Sequence, residues 1–179
     1  MKDLFVKYFD DINKNVPYSV FEDLAIVSCI GTVIIWALYG VKKGLRYLLS
    51  LLLVEYVFLL FCTTVAFRKE NEKLGYEIHP FWSYGRDNLI AENLMNVVVF
   101  VPIGLLLGCA FRGMTLWKVM MVGMCVTGTI ETMQFVYNRG FAEVDDVIHN
   151  TLGCMIGYGI FSMVKYGYER INKRNVGIL

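Results

Sequence analysis

Five runs of apolar residues, each close to the length a helix needs to cross roughly 30 Å of hydrocarbon, constrain this chain more than any other feature. They are Leu24 to Gly40, Leu45 to Phe67, Leu94 to Phe111, Leu116 to Tyr137 and Val147 to Tyr166. The first and third are short, so their helices are expected to recruit flanking residues. Inside lipid every backbone N–H and C=O needs a partner within the protein, which leaves helices or closed barrels. No alternation of apolar and polar residues supports a barrel. Composition agrees: 56% of the 179 residues are hydrophobic and only 18% charged, too little polar surface for a water-soluble domain of this size. The expected fold class is an all-α polytopic membrane bundle of about five transmembrane helices.

Three segments follow from the pattern. Residues 1–23 read as an amphipathic stretch, with Leu4, Phe5, Tyr8, Phe9 and Ile12 at helical spacing against Lys and Asp, suited to lying at the interface. Residues 24–166 carry the helices, and 167–179 form a basic tail. The longest polar connection, Arg68 to Glu92, contains Tyr76, His79, Pro80, Phe81, Trp82 and Tyr84, a composition that fits the headgroup belt.

The net charge of +1 gives no footprint for nucleic acid, but it conceals an asymmetry. With five spans, one side holds Lys42, Lys43, Arg46, Arg112, Lys118, Lys165, Arg170, Lys173 and Arg174 against a single acid, Glu169. The other side carries eight basic residues and thirteen acids, spread over longer segments. Basic residues packed into short connections mark the cytoplasmic face, which places the N-terminus outside and the C-terminus in the cytoplasm. The five cysteines, Cys29, Cys62, Cys109, Cys125 and Cys154, all fall inside the runs. Their spacing matches no metal motif, and they read as small apolar packing residues. No cofactor or metal is expected.

Ionisable residues inside a span cost about 2.5–3.5 kcal/mol even on the lenient insertion scale, so they point to function. Glu55 and Glu131 qualify. In the fourth run Thr127, Glu131, Gln134 and Asn138 recur at helical spacing and share one face. In the fifth, Asp146, Asn150, Gly153 and Gly157 share a face with His149 beside it, the glycines permitting close helix approach. Asn93 and Asn96 open the third run, near Glu92, and Pro102 follows further along. Counting along the helices brings these sets, with Arg139, Glu143 and Asp145 from the turn between the fourth and fifth runs, into the outer half of the bundle. The candidate binding residues are therefore Asn93, Asn96, Glu131, Gln134, Arg139, Asp145, Asp146 and Asn150. Any single Asn or Gly among them reads as interhelical glue, with Arg139 neutralising nearby carboxylates. The concentration of acids points instead to a pocket for a cationic or polar ligand.

The strings N-L-M-N-V-V-V-F-V-P-I-G (Asn93 to Gly104), E-T-M-Q (Glu131 to Gln134) and R-G-F-A-E-V-D-D-V-I-H-N-T-L-G (Arg139 to Gly153), followed by Gly157 and Tyr158, resemble the VanZ-like family of bacterial membrane proteins. The resemblance covers roughly the C-terminal half. It implies that Glu131, Gln134, Arg139, Asp146 and Asn150 occupy the family's polar motif, with Asn93, Asn96, Pro102 and Gly104 in its upstream motif. His149 departs from the family's usual apolar residue and takes no role from it. The resemblance further implies a multi-pass protein of the bacterial cell membrane, linked to resistance to the lipoglycopeptide teicoplanin.

Three functions compete at this level. In the first, the outward-facing pocket binds a lipid-linked peptidoglycan precursor, a lipid headgroup or the antibiotic, and membrane lipids are the standing partners. In the second, an intramembrane enzyme uses Glu131, Asp145 and Asp146 on lipid headgroups. Against this, the chain shows no nucleophile beside a base, and its only histidines, His79 and His149, lack a partner spacing. In the third, an oligomeric transporter or scaffold relies on Glu55 and Glu131.

Overall fold

Every apolar run becomes a helix. The computed structural model describes residues 16–70, 75–85 and 87–175. Among them are five helices long and apolar enough to cross a membrane. They are α1 (Tyr18–Gly40), α2 (Gly44–Ala66), α3 (Asp87–Ala110), α4 (Leu116–Val136) and α5 (Val144–Asn175). As expected of the short runs, α1 and α3 extend at their N-terminal ends. Residues 18–23, assigned by sequence to the N-terminal segment, belong to α1, while the amphipathic positions Leu4 to Ile12 lie outside the described residues. The tail continues α5 as helix through Asn175.

α1 and α2 form a hairpin broken at Gly40, whose φ of 65° lies in the left-handed region that glycine enters without a Cβ penalty. Tyr39 stacks on Tyr47 with ring centroids 4.3 Å apart. About three turns from the bend the Ser28 hydroxyl donates to Glu55 Oε2 at 2.5 Å, so Glu55 faces α1 and not the polar set predicted elsewhere. Its buried Oε1 has no partner among the described residues. The outward surface of α1, with Val33 and Leu38 more than half exposed, is the apolar surface that lipid requires.

α3 and α5 pack backbone to backbone. A Cβ at Gly104 would strike the Cys154 carbonyl, one at Gly153 the Val97 carbonyl, and one at Gly157 the Val101 carbonyl. In lipid, where hydrophobicity gives neighbouring helices little reason to associate, such close approach supplies the dispersion contact that holds them. Phe100, Ile103, Leu107, Val119, Ile130 and Cys154 fill the core around this seam. Tyr56 ties α2 to it, donating to the Val99 carbonyl at 2.7 Å.

Two three-residue strands close one end, a feature the sequence reading did not contain. β1 (Gly75–Glu77) pairs in parallel with β2 (Phe141–Glu143), in the register Gly75 to Phe141 and Glu77 to Glu143. A 3₁₀ turn, Trp82–Gly85, leads into α3.

Candidate functional site

The polar residues singled out by sequence gather at the end where α2 stops, α3 and α5 begin and α4 stops. The last turn of α2 explains why. The hydroxyls of Thr63 and Thr64 both donate to the Leu60 carbonyl, at 2.8 and 2.7 Å, and the backbone widens into a π-helical stretch over Cys62–Ala66. A helix end leaves its final carbonyls without intrahelical partners, and here α4 and the turn after it supply them. Gln134 Nε2 donates to the Thr64 carbonyl at 3.1 Å, and Arg139 Nη1 donates to those of Val65, at 3.3 Å, and Ala66.

Arg139 is aimed there by the way α4 ends. Asn138 has φ 51°, its N–H donates to the Phe135 carbonyl at 3.1 Å and the Arg139 N–H to that of Gln134 at 2.8 Å. This is a Schellman motif with asparagine in its left-handed position. Arg139 was expected among the pocket carboxylates. It caps α2 instead, and Glu70, 3.8 Å away, is its ion-pair partner.

Asp145 is fully buried, at 0% exposure, and holds the loop before α3. It accepts the Phe81 N–H at 2.5 Å, the Ser83 N–H at 3.2 Å and the Ser83 hydroxyl at 2.6 Å. Asn93 donates to the same Ser83 oxygen at 2.9 Å. His149 lies one turn on, with Nδ1 2.6 Å from the Asp145 carbonyl and Nε2 3.0 Å from the Tyr84 hydroxyl. The aromatic rings of Tyr76, Phe81 and Tyr84 stay more than half exposed on this loop, as an interfacial position requires.

The remaining residues interlock the helices. Asn96 Nδ2 donates to Asp146 Oδ1 at 2.7 Å, joining α3 to α5. Asn150 Nδ2 donates to Thr127 Oγ1 at 2.8 Å, joining α5 to α4. Glu131 Oε2 accepts the Glu143 N–H at 3.0 Å, tying α4 to β2. The structure therefore brings all eight sequence-predicted residues to one end, mostly as pairwise ties.

What these ties leave over is acceptor capacity. The buried oxygens Gln134 Oε1 and Asn150 Oδ1 have no hydrogen-bond partner among the described residues, nor does Thr151 Oγ1. Glu131 and Asp146 lie within electrostatic reach of each other and of Arg68. The Arg68 guanidinium and the Gln134 amide both border Gly140, where a Cβ would come within 3.2 Å of each. Outside the helices, burial pushes the Glu143 carboxyl above its ordinary range, and the acids Glu92, Asp145 and Glu77 reinforce this against a hydrogen bond from Trp82. Glu77 is held low by hydrogen bonds from the backbone and ring of His79. No group of three or more His, Cys, Asp and Glu residues suited to a metal occurs among the described residues.

Sequence reasoning gave no role in the polar set to Ser83, Tyr84 or Arg68. Arg68 carried a weak signal, as a cation just beyond the second apolar run. Ser83 carried none, because its role depends on a long-range backbone contact.

A family model described as VanZ/LLP1 matches residues 47–165, a stretch that takes in every residue of the polar set and excludes α1. Protein VanZ of Enterococcus faecium is 28% identical over 101 residues, covering 51% of this chain and 63% of that protein. The chain thus spans a little under two thirds of the length of this curated relative. No solved structure matches at a significant level.

Proposed function

The chain belongs to the VanZ/LLP1 family, and from that premise we propose that it acts in the bacterial cell membrane as a binding protein contributing to resistance to lipoglycopeptides of the teicoplanin type. In this reading the polar end faces outward and engages a lipid-linked cell-wall precursor, a lipid headgroup or the antibiotic. The observation that carries it is the surplus of acceptors: Gln134 Oε1 and Asn150 Oδ1 have no hydrogen-bond partner among the described residues, on the same helices as the carboxyl groups of Glu131 and Asp146. A site of that chemistry recognises groups rich in N–H and O–H donors, such as sugar hydroxyls or protonated amines. Arg68, at the edge of the set, is the cation placed to meet a ligand, since Arg139 is occupied as a cap. The charge asymmetry between the two faces supports the outward orientation.

Catalysis finds less support. Asp145, one of the three acids an enzyme would use, is committed to three donors from the loop. The test is to express Glu131→Gln and Asn150→Ala at matched membrane levels in a susceptible host and measure teicoplanin sensitivity. Both are expected to lower resistance, because each alters an acceptor while its helix remains. Unchanged resistance in both refutes the binding role. A membrane-impermeant maleimide should label a cysteine at Ile78 in intact cells and leave one at Lys173 unlabelled; the reverse pattern refutes the orientation.

A further inference from the structure

The opposite end of the bundle is built for a different ligand. Where α2 begins and α3 ends, these helices, the turn at 111–114 and the distal half of α5 line an open cleft of about 670 Å³. Its charged lining is Arg46, Arg112, Lys165 and Glu169. Lys165 and Glu169 sit 4.0 Å apart as an exposed pair, whereas Arg46 and Arg112 form no ion pair among the described residues. The cleft therefore keeps two uncompensated guanidinium groups. Part of its wall is apolar: the Phe161 ring lies against Gly108, in the space a Cβ there would fill. The back is closed by Tyr158, whose hydroxyl donates to the Met114 carbonyl at 2.7 Å.

We propose that this cleft binds one anionic phospholipid, its phosphate held by Arg46, Arg112 and Lys165 and its glycerol and first acyl methylenes resting on Phe161 and Gly108. Arg46 lies two residues inside the start of α2 and Arg112 two beyond the end of α3, at the depth where headgroups sit. The guanidinium fork matches phosphate oxygens in pairs. Basic recesses between transmembrane helices are a recurring way to hold acidic headgroups, and the volume falls in the range of about 300–1,000 Å³ common to small-ligand sites. A soluble phosphate would use the cations and leave the apolar part of the wall at Phe161 and Gly108 idle; a lipid uses both. The proposal is independent of the function assigned to the other end.

The test uses the full chain in nanodiscs of phosphatidylcholine with a minor fraction of phosphatidylglycerol, followed by native mass spectrometry of the released protein. One phosphatidylglycerol per chain is expected to persist. With each cation weighing about fivefold, the triple variant Arg46→Gln, Arg112→Gln, Lys165→Gln should retain about a hundredfold less. The control Arg170→Gln, Lys173→Gln, which removes charge from α5 outside the cleft, should retain it fully. Ser162→Trp, which fills the cleft without changing charge, should also lose the lipid, so the result does not depend on the triple variant folding. No retention by the unaltered protein, equal loss in the control pair, retention in Ser162→Trp, or displacement by inorganic phosphate as readily as by phosphatidylglycerol would each overturn the proposal.

Discussion

Asp145→Ala should detach the loop before α3 while leaving the helices assembled. The carboxylate is fully buried and accepts three hydrogen bonds, two from Ser83 and one from the Phe81 N–H. Hydrogen bonds to a charged group contribute about 1.5–3 kcal/mol each, so the set represents at least about 4.5 kcal/mol. Part of this returns on release. Phe81 holds a φ of 65°, a left-handed conformation that costs a residue with a Cβ about 1–2 kcal/mol, and an open loop sheds it. The loop also keeps its β1 pairing and the Tyr84 contact to His149. The net opening should fall near 3 kcal/mol, or about a hundredfold at 1.4 kcal/mol per decade. Amide hydrogen exchange of a peptide spanning residues 78–85, measured in nanodiscs with α4 peptides as internal reference, reads this directly. Asp145→Asn, which keeps one acceptor oxygen, should show a smaller loss of protection. Unchanged exchange at Phe81 and Ser83 in Asp145→Ala would refute the anchoring role. An equal rise throughout α4 would refute the local character of the opening.

Other outcomes follow from the packing and the charges. Gly104→Ala pushes a methyl group into the Cys154 carbonyl and should cost about 1–3 kcal/mol, visible as a lower Tm in detergent. Gly159→Ala on the same helix pair meets nothing within 4 Å and should leave Tm unchanged. Because burial raises the Glu143 carboxyl above its ordinary range, the folded protein holds that proton more tightly than the unfolded chain, and stability falls as pH climbs from about 4.3 through the raised value. Glu143→Gln should flatten that limb in thermal melts run across it, and an unaltered pH profile would refute the assignment.

The helices were legible because a span must satisfy its own backbone, so apolar length alone announces it. The end of the bundle where Asn93, Glu131, Asp146 and Asn150 meet was legible for a related reason: charge and amide groups survive in lipid only where other helices satisfy them. Their individual partners were not. Arg139 was placed among carboxylates because charge complementarity is the simplest rule available to a sequence reader. Its partners include carbonyls at the π-helical end of α2, where two threonine hydroxyls donate to one carbonyl. β1 and β2 were invisible because three residues are too few to show a period of two. Glu55 stood out only as an acid inside a span, and the hairpin at Gly40, which turns it toward Ser28, supplies its partner.

Which polar atoms a ligand can meet depends on what folding has already used. Gln134 commits one of its two amide N–H groups to α2 and Asn150 one of its own to Thr127, while the oxygen of each has no hydrogen-bond partner among the described residues. Asp145 is consumed by the loop and Arg139 by the cap. An anionic group entering here would meet the acids Glu131, Glu143 and Asp146, with Arg68 the cation in electrostatic reach of Glu131 and Asp146. A hydroxyl or ammonium donor reverses the sign of the carboxylate contacts and satisfies the amide oxygens as well. In the proposed reading, the unpartnered oxygens therefore favour donor-rich sugar or amine groups at this end, while the guanidinium groups lining the cleft at the other end favour an anion.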